Sequence, residues 1–267
     1  MKNNESILSA FLLIATTLLW LSCTKPQAQP APYSLSYGDS IIYLKQQSGD
    51  YIVYPIQART GTYSAFPDGI ELDDNTGAIN VSRSETGLRY RITHTDPDGT
   101  TKTTLVVLSG INFTDRFYHL SQNDSIAYPV YNAEQTRSLP VNGSVFDDGN
   151  GANSGGCSIK TTNGQINLKE TVRNGVFGST PQNDSRKDFD VLYRLNDASG
   201  KTLNKIRVRI YYYNTMADVA PDLLQTLQDR ESAGVFLRTA TAGINNGAMR
   251  PGQLAKPRPP CVIIIAN

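Results

Sequence analysis

The sequence predicts an all-β chain of two tandem β-sandwiches, closed by a short C-terminal helix and a terminal strand. Three observations carry that expectation. First, from Tyr33 onward short β-rich runs (Ile41-Ile42-Tyr43-Leu44, Tyr51-Ile52-Val53-Tyr54, residues 88–93 and 103–108) alternate with Ser-Gly-Asp, Asp-Asn-Thr-Gly and Asp-Pro-Asp-Gly turns, with no helical period among them. Second, motifs recur in the same order. Asp50-Tyr-Ile-Val-Tyr-Pro-Ile56 returns as Asp124-Ser-Ile-Ala-Tyr-Pro-Val130, and Asn75-Thr-Gly-Ala-Ile-Asn-Val81 as Thr162-Asn-Gly-Gln-Ile-Asn-Leu168. Tyr90-Arg91-Ile92 is echoed by Tyr193-Arg194-Leu195, and Asp96-Pro-Asp-Gly99 by Asp197-Ala-Ser-Gly200. Reuse of Gly, Asn and Tyr by any β protein explains one such match but not the preserved order, which points to duplication. Third, only residues 218–231 form a convincing helix: Pro221 sits near the first turn, Asp222 suits the positive dipole end, and Leu223, Leu224 and Leu227 share one face.

Taken in order, the chain starts with Lys2 and an apolar run from Ile7 to Trp20, long enough for a signal peptide and too short to span a membrane comfortably. Leu19-Trp20-Leu21-Ser22-Cys23 resembles the bacterial lipoprotein signal, in which a cysteine is lipidated before cleavage. The resemblance implies removal of residues 1–22 and an acylated Cys23 as the first residue. With Thr24 rather than Asp next, it implies an outer-membrane anchor, on the periplasmic or the cell-surface face. Each buried methylene contributes about 0.8 kcal/mol, so several acyl chains would hold the protein firmly. Residues 23–32 carry three prolines and no apolar period, and are expected to be a semi-extended tether.

The first sandwich is expected over 33–111. Within it Gly69-Ile-Glu-Leu-Asp-Asp-Asn-Thr-Gly-Ala-Ile-Asn-Val81 encodes a hairpin: Ile70 and Leu72 alternate inward, Asn75-Thr76-Gly77 reverses the chain, and Ile79 and Val81 return. This segment resembles the cadherin-like and immunoglobulin-like repeats of bacterial surface proteins, which implies a pair of Ig-like/cadherin-like sandwiches over 33–214. The Asp-x-Asn-Asp-Asn linker of calcium-dependent cadherins is missing at the junction, so calcium rigidity is not implied. The second sandwich is expected over 112–214. The spacing between the first two matched motifs grows by about 13 residues there, placing an insertion near 147–156. Residues 215–267 should hold the helix, an irregular arm over 243–260 and a strand at Cys261-Val-Ile-Ile-Ile-Ala266, which must be covered by this chain's own sheet or by a partner.

Composition narrows the function. The 267 residues carry a net charge of +1, and losing Lys2 and Glu5 leaves it there, so nothing recommends nucleic acid as a partner. Of the 3 cysteines, Cys157 and Cys261 remain after lipidation as an even pair, either a disulfide or two small apolar thiols. The only histidines, His94 and His119, lack Cys or carboxylate partners at ligand spacing, and no Gly-x-Ser-x-Gly elbow, phosphate loop or dinucleotide fingerprint is present. No cofactor and no catalysis are expected. Asp147, Asp148 and Asn150 are the best-placed oxygen ligands for calcium, although turns use the same residues. The 14 tyrosines could stack on sugar faces or serve as sheet residues, while the one tryptophan, Trp20, leaves with the signal. Asp39-Ser40-Ile41 and Asp124-Ser125-Ile126 are similar to the sites that Bacteroidota-type bacteria O-glycosylate, which would modify Ser40 and Ser125. The expected role is a lipid-anchored binding or spacer module with an unidentified protein partner, or alternatively a glycan-binding accessory of polysaccharide uptake.

Overall fold

Burial alternates residue by residue along the longer strands and sorts the chain into layers. A computed structural model describes residues 33–232 and 260–267. The expected signal peptide at 1–22, Cys23, the tether and the arm up to residue 259 lie outside the described residues.

In the first sandwich, β1 (Ile41–Ile42), β2 (Ile52–Val53), β3 (Thr62–Phe66), β4 (Glu71–Leu72), β5 (Ile79–Asn80), β6 (Leu88–Thr95) and β7 (Thr101–Leu108) make two sheets, ordered β1-β7-β6-β3 and β2-β5-β4. Leu88, Tyr90, Ile92 and His94 of β6 are each fully buried, and the residues between them are half-buried. A period of two is what a strand with one face on a core requires. The anticipated hairpin forms from β4 and β5, with Leu72 opposite Ile79. Its turn is held by Asp73, whose carboxylate accepts from the amides of Asn75 and Thr76 and from the Thr76 hydroxyl at 3.0, 2.8 and 2.9 Å.

The connection to the second sandwich is itself a strand, β8 (Ile111–Phe113). Beyond it lie β9 (Arg116–His119), β10 (Ile126–Ala127), β11 (Pro129–Tyr131), β12 (Val145–Phe146), α1 (Gly151–Ser154), β13 (Ile166–Asn167), α2 (Leu168–Arg173), β14 (Ser185–Arg194), β15 (Asn204–Tyr213), α3 (Pro221–Ser232) and β16 (Cys261–Ile265). The main sheet runs β12-β14-β15-β16-β9, with β10 paired to β13 and β8 paired to β11. The fold class is therefore all-β, two tandem sandwiches of Ig-like/cadherin-like strand order with a short helix and a terminal strand. Both belong to one unit, Ser34–Asn267.

The duplication extends to register. Ile52 lies opposite Asn80 and Val53 opposite Ile79, and at the matching positions Ile126 lies opposite Asn167 and Ala127 opposite Ile166. The turn glycines share a backbone, φ +71° at both Gly77 and Gly164. Each packs under a ring, where an added Cβ would come within 2.6 Å of Tyr63 or 2.7 Å of Phe146. The asparagines do the same work too: Asn80 accepts from the Arg83 amide and takes the Ser84 hydroxyl on its carbonyl, as Asn167 does with Glu170 and Thr171. In the second copy this cap starts a helix, α2, and in the first only a turn. One echo does not keep register. Tyr193, next to last in β14, faces Phe146, as His94, next to last in β6, faces Tyr63; the sequence match had paired Tyr193 with Tyr90.

The apolar terminal strand joins this chain's own sheet. β16 lies parallel between β15 and β9, with Ile263 opposite both Tyr211 and Phe117. Its alternate residues enter two cores. Val262 and Ile264 join the interior of the sandwich with Phe146, Val191 and Val208. Cys261, Ile263 and Ile265 join Tyr211, Tyr213, Val219 and Leu223 under α3 on the other face. This arrangement decides between the disulfide and the two apolar thiols that the sequence left open, in favour of the thiols. Cys157 belongs to the interior cluster and Cys261 to the cluster beyond the sheet, and no disulfide joins them.

Candidate functional site

The junction between the sandwiches is built from residues far apart in sequence. Tyr193 Oη, fully buried, shares a hydrogen with Thr86 Oγ1 at 2.8 Å and accepts from the Ile111 amide at 3.2 Å. Asn204 Nδ2 donates to the same Thr86 oxygen at 3.2 Å. Asn112 Nδ2 reaches Glu85 Oε1 at 2.9 Å and the Thr86 carbonyl at 3.2 Å, while Asn132 Oδ1 accepts from the Gly110 amide at 3.0 Å. Asp197, in the β14–β15 turn, accepts from Tyr131 at 2.8 Å and from Ser109 at 3.3 Å. Gly110 is required at the centre because a Cβ there would stand 2.5 Å from Tyr193 Oη and 2.6 Å from Thr86 Oγ1. Burial pushes the Tyr193 phenol up to about 12, so it stays a neutral donor and acceptor. Such a buried polar network fixes one arrangement of the parts it joins, although the Asn132 Nδ2 donor is buried without an acceptor.

Beside this network lies a groove of about 580 Å³ between the two sandwiches. Leu44, Leu192, Leu203 and Ile206 give it apolar walls, and Arg83, Glu85, Lys205 and Arg207 a charged rim. Leu203 is 41% exposed. The rim charges are largely matched: Arg83 pairs with Asp50, and Arg207 holds Asp190 through two bonds of 2.7 and 3.1 Å. The Arg207 bond keeps the Asp190 carboxyl below the usual range, and Arg209 does the same for Asp188. A second, smaller cleft of about 250 Å³ runs under α3, lined by Arg186, Arg209, Tyr211, Tyr213, Arg230 and Cys261 among others.

The residues singled out from sequence have other occupations. Asp147 takes positive φ and caps α1, its carboxylate accepting from the Ala152 and Asn153 amides at 2.8 and 2.9 Å and from Asn153 Nδ2 at 2.7 Å. Asp148 accepts from Arg194 at 2.7 Å, and the Asn150 side chain donates to Ser154. Of the two uses open to these three residues, calcium ligands or turn residues, the structure shows a helix cap and an ion pair, with the carboxylate oxygens facing amides and a guanidinium. Among the described residues no three His, Cys, Asp or Glu side chains gather closely enough to hold a metal. His94 is buried against Tyr63, ring centroids 4.6 Å apart, and His119 lies half-buried in the other sandwich. The Cys157 thiol is pushed up to about 12 by burial, which leaves no thiolate for nucleophilic work. Ser40 is exposed and Ser125 half-buried, and both accept strand hydrogen bonds on their backbone carbonyls.

The tyrosines do not form a sugar platform. Nine of the 14 are buried. Only Tyr54 and Tyr128, at matching places in the two copies, are 60% exposed. None of the junction residues was singled out from sequence as a contact between domains; Tyr193 and Asp197 entered only as echoes of the first copy. Thr86 and Tyr193 are 107 positions apart, and no local pattern marks either.

No family model matches the chain, and no curated protein does. Among solved structures it is similar to one from mouse, described as clustered PcdhgC3 EC1-3, with 8% identity over 67% of each chain and a TM-score of 0.19. A score that low carries no weight for fold or function, and the sandwich assignment rests on strand order and register.

Proposed function

We propose that this protein is a non-catalytic, lipid-anchored envelope protein in which two sandwiches, held at a fixed angle, act as a binding or spacer module. The observation that carries the reading is the buried junction around Tyr193, Thr86, Ile111 and Asn204. A chain of independent beads has no use for buried hydrogen bonds between its domains, whereas a module that must present one surface at a set orientation does. The groove at that junction, with Leu203 on its rim, is the surface offered, and apolar walls with a charged rim suit a protein partner better than a sugar. The anchor rests on the resemblance of residues 19–23 to the lipoprotein signal, and the outer membrane on Thr24.

Two measurements test this reading. Mass spectrometry of the protein from its native membrane should find Cys23 as the first residue, carrying a diacylglyceryl group; a retained signal peptide or an unmodified thiol overturns the anchoring. A photo-crosslinker at Leu203 in the envelope fraction should capture a protein partner that the same group at Val141, 44% exposed and outside the groove, does not, and equal capture at both positions overturns the binding role.

A further inference from the structure

The second sandwich contains a strand position that the first does not. In the first, β1 lies directly against β7, parallel, with Ile41 opposite Val107 and Ile42 opposite Leu108. In the second, the corresponding strands β9 and β15 never pair. β16 stands between them, parallel to both, and among the described residues is the one strand partner of β9. The sheet is therefore opened by one strand width, about 4.8 Å, and filled by residues 261–265. All five are at most 3% exposed, three under α3 and two in the interior of the sandwich. Without them two main-chain edges and two apolar faces would meet water, which makes the position a slot rather than a margin.

What fills the slot is joined to the rest of the molecule by more chain than the join requires. Arg230, near the end of α3, donates to Cys261 Sγ at 2.9 Å, and Asp115 Oδ1 accepts from the Cys261 amide at 2.6 Å. The two ends of the connection thus lie within one side chain's reach, yet 27 residues, 233–259, run between them. Fully extended, that length spans about 90 Å. Loop-closure entropy grows slowly with length, so the surplus costs the closed form little and allows the strand to reach beyond its own molecule.

We propose that the slot between β9 and β15 is an exchange site, whose other occupant is the Cys261–Ile265 strand of a second copy of this chain, donated reciprocally. The side-chain fit is already demonstrated, because the donated strand is the same sequence in the same register. Contacts within the slot are identical in the closed and exchanged forms, so the balance is set by concentration. A tethered strand of this kind has an effective concentration of about 1 mM, below which the closed monomer dominates. The proposal stands independently of the lipid anchor and of the groove at the junction.

The test uses the mature chain with Cys23→Ser and Arg209→Cys, since residue 209 lies opposite Cys261. The protein is refolded from denaturant at about 5 µM and about 500 µM, below and near the tethered strand's effective concentration, then oxidised. The closed form gives an internally cross-linked monomer, and the exchanged form a dimer cross-linked between chains. Such dimers should be scarce at the lower concentration and at least tenfold more abundant at the higher. Internally cross-linked monomer alone at both concentrations overturns the proposal, and so does a dimer whose disulfides are all internal. Should Arg209→Cys fail to fold, unsubstituted light and ¹⁵N-labelled chains are refolded together and weighed by native mass spectrometry. Mixed-isotope dimers at the higher concentration are expected, and monomers alone overturn the proposal.

Discussion

Removing one oxygen from the junction tests whether the two sandwiches are locked together. Tyr193→Phe deletes only the phenolic oxygen of a side chain that is 1% exposed, so the packed volume hardly changes. Thr86 keeps a partner, because Asn204 Nδ2 still donates to its hydroxyl at 3.2 Å. The Ile111 amide, which donates to Tyr193 Oη at 3.2 Å, has its acceptor taken away inside a buried site. An orphaned buried amide costs about 1–3 kcal/mol. For a domain of this size, each kcal/mol lowers the melting temperature by about 2–4 °C, so the variant should melt about 2–12 °C lower. Far-UV circular dichroism during urea and thermal unfolding reads this directly, with Tyr128→Phe as the control on an exposed ring expected within about 0.5 kcal/mol of the parent. A Thr86→Ala/Tyr193→Phe cycle should show a coupling of about 0.5–3 kcal/mol. If Tyr193→Phe unfolds with the control, the network does not hold the junction, and the fixed-module reading fails with it.

Other expectations follow from the same geometry. Gly77→Ala and Gly164→Ala should each destabilise by more than about 1–2 kcal/mol, the cost of a left-handed L-residue, because a ring must also move; urea midpoints of the pair check it, and one neutral variant would break the equivalence of the two turns. Reducing agent should leave the melting temperature unchanged, since the two thiols lie on opposite faces of the sheet. A disulfide closing a loop of about 100 residues would contribute about 4.7 kcal/mol, so a drop of several degrees refutes the assignment. For Asp188 and Asp190 the folded carboxyls are held low by bonds from Arg209 and Arg207. Their contribution is therefore complete above the unfolded carboxylate value of about 3.9 and is lost as pH falls below it. Both pairs are about one-third or more exposed, and each contributes less than about 1 kcal/mol. An Asp188→Asn/Asp190→Asn variant should lose stability at pH 7 but little at pH 3, and an equal loss at both would refute the ion-pair account.

What the sequence made legible follows the range of the interactions involved. The β4–β5 hairpin is a local matter of alternating Ile70, Leu72, Ile79 and Val81 around a glycine turn, and it forms where the pattern places it. The helix α3 follows from Pro221, Asp222 and a leucine face, and it packs where that face finds Tyr211, Tyr213 and Ile263. Motif order exposed the duplication because turn residues are fixed by backbone geometry. Other features were hidden for physical reasons. Asn167 begins a helix and Asn80 only a turn although both make the same cap, so the cap alone does not decide the outcome. The echo at Tyr193 misled because an aromatic in a strand is recognisable but its register is not. The junction escaped entirely, since a hydrogen bond between Thr86 and Tyr193 leaves no trace in either residue's neighbourhood. The acidic loop at 147–150 left turn and calcium ligands both open, because Asp, Asn and Gly serve either, and only the amides of Ala152 and Asn153 and the Arg194 guanidinium decide for the turn.

The two copies show how one plan can be diverted by what is added to it. In the first, the sheet ends with β1 directly beside β7, and among the described residues no helix belongs to that half of the chain. In the second, the same pairing is interrupted by β16, and the sheet acquires a second apolar face that α3 must cover. Strand and helix therefore depend on each other: Ile263 and Ile265 need Val219 and Leu223 above them, and α3 has its apolar side buried against Tyr211, Tyr213 and those isoleucines. Arg230 and Asp115 tie the two at the strand's first residue, a partly buried pair 19% and 10% exposed. The addition thus binds sequence-distant parts of the second sandwich together at the edge away from β12, and leaves the junction with the first sandwich, made by Tyr193, Asn204 and Asp197, unchanged by whichever molecule supplies the strand.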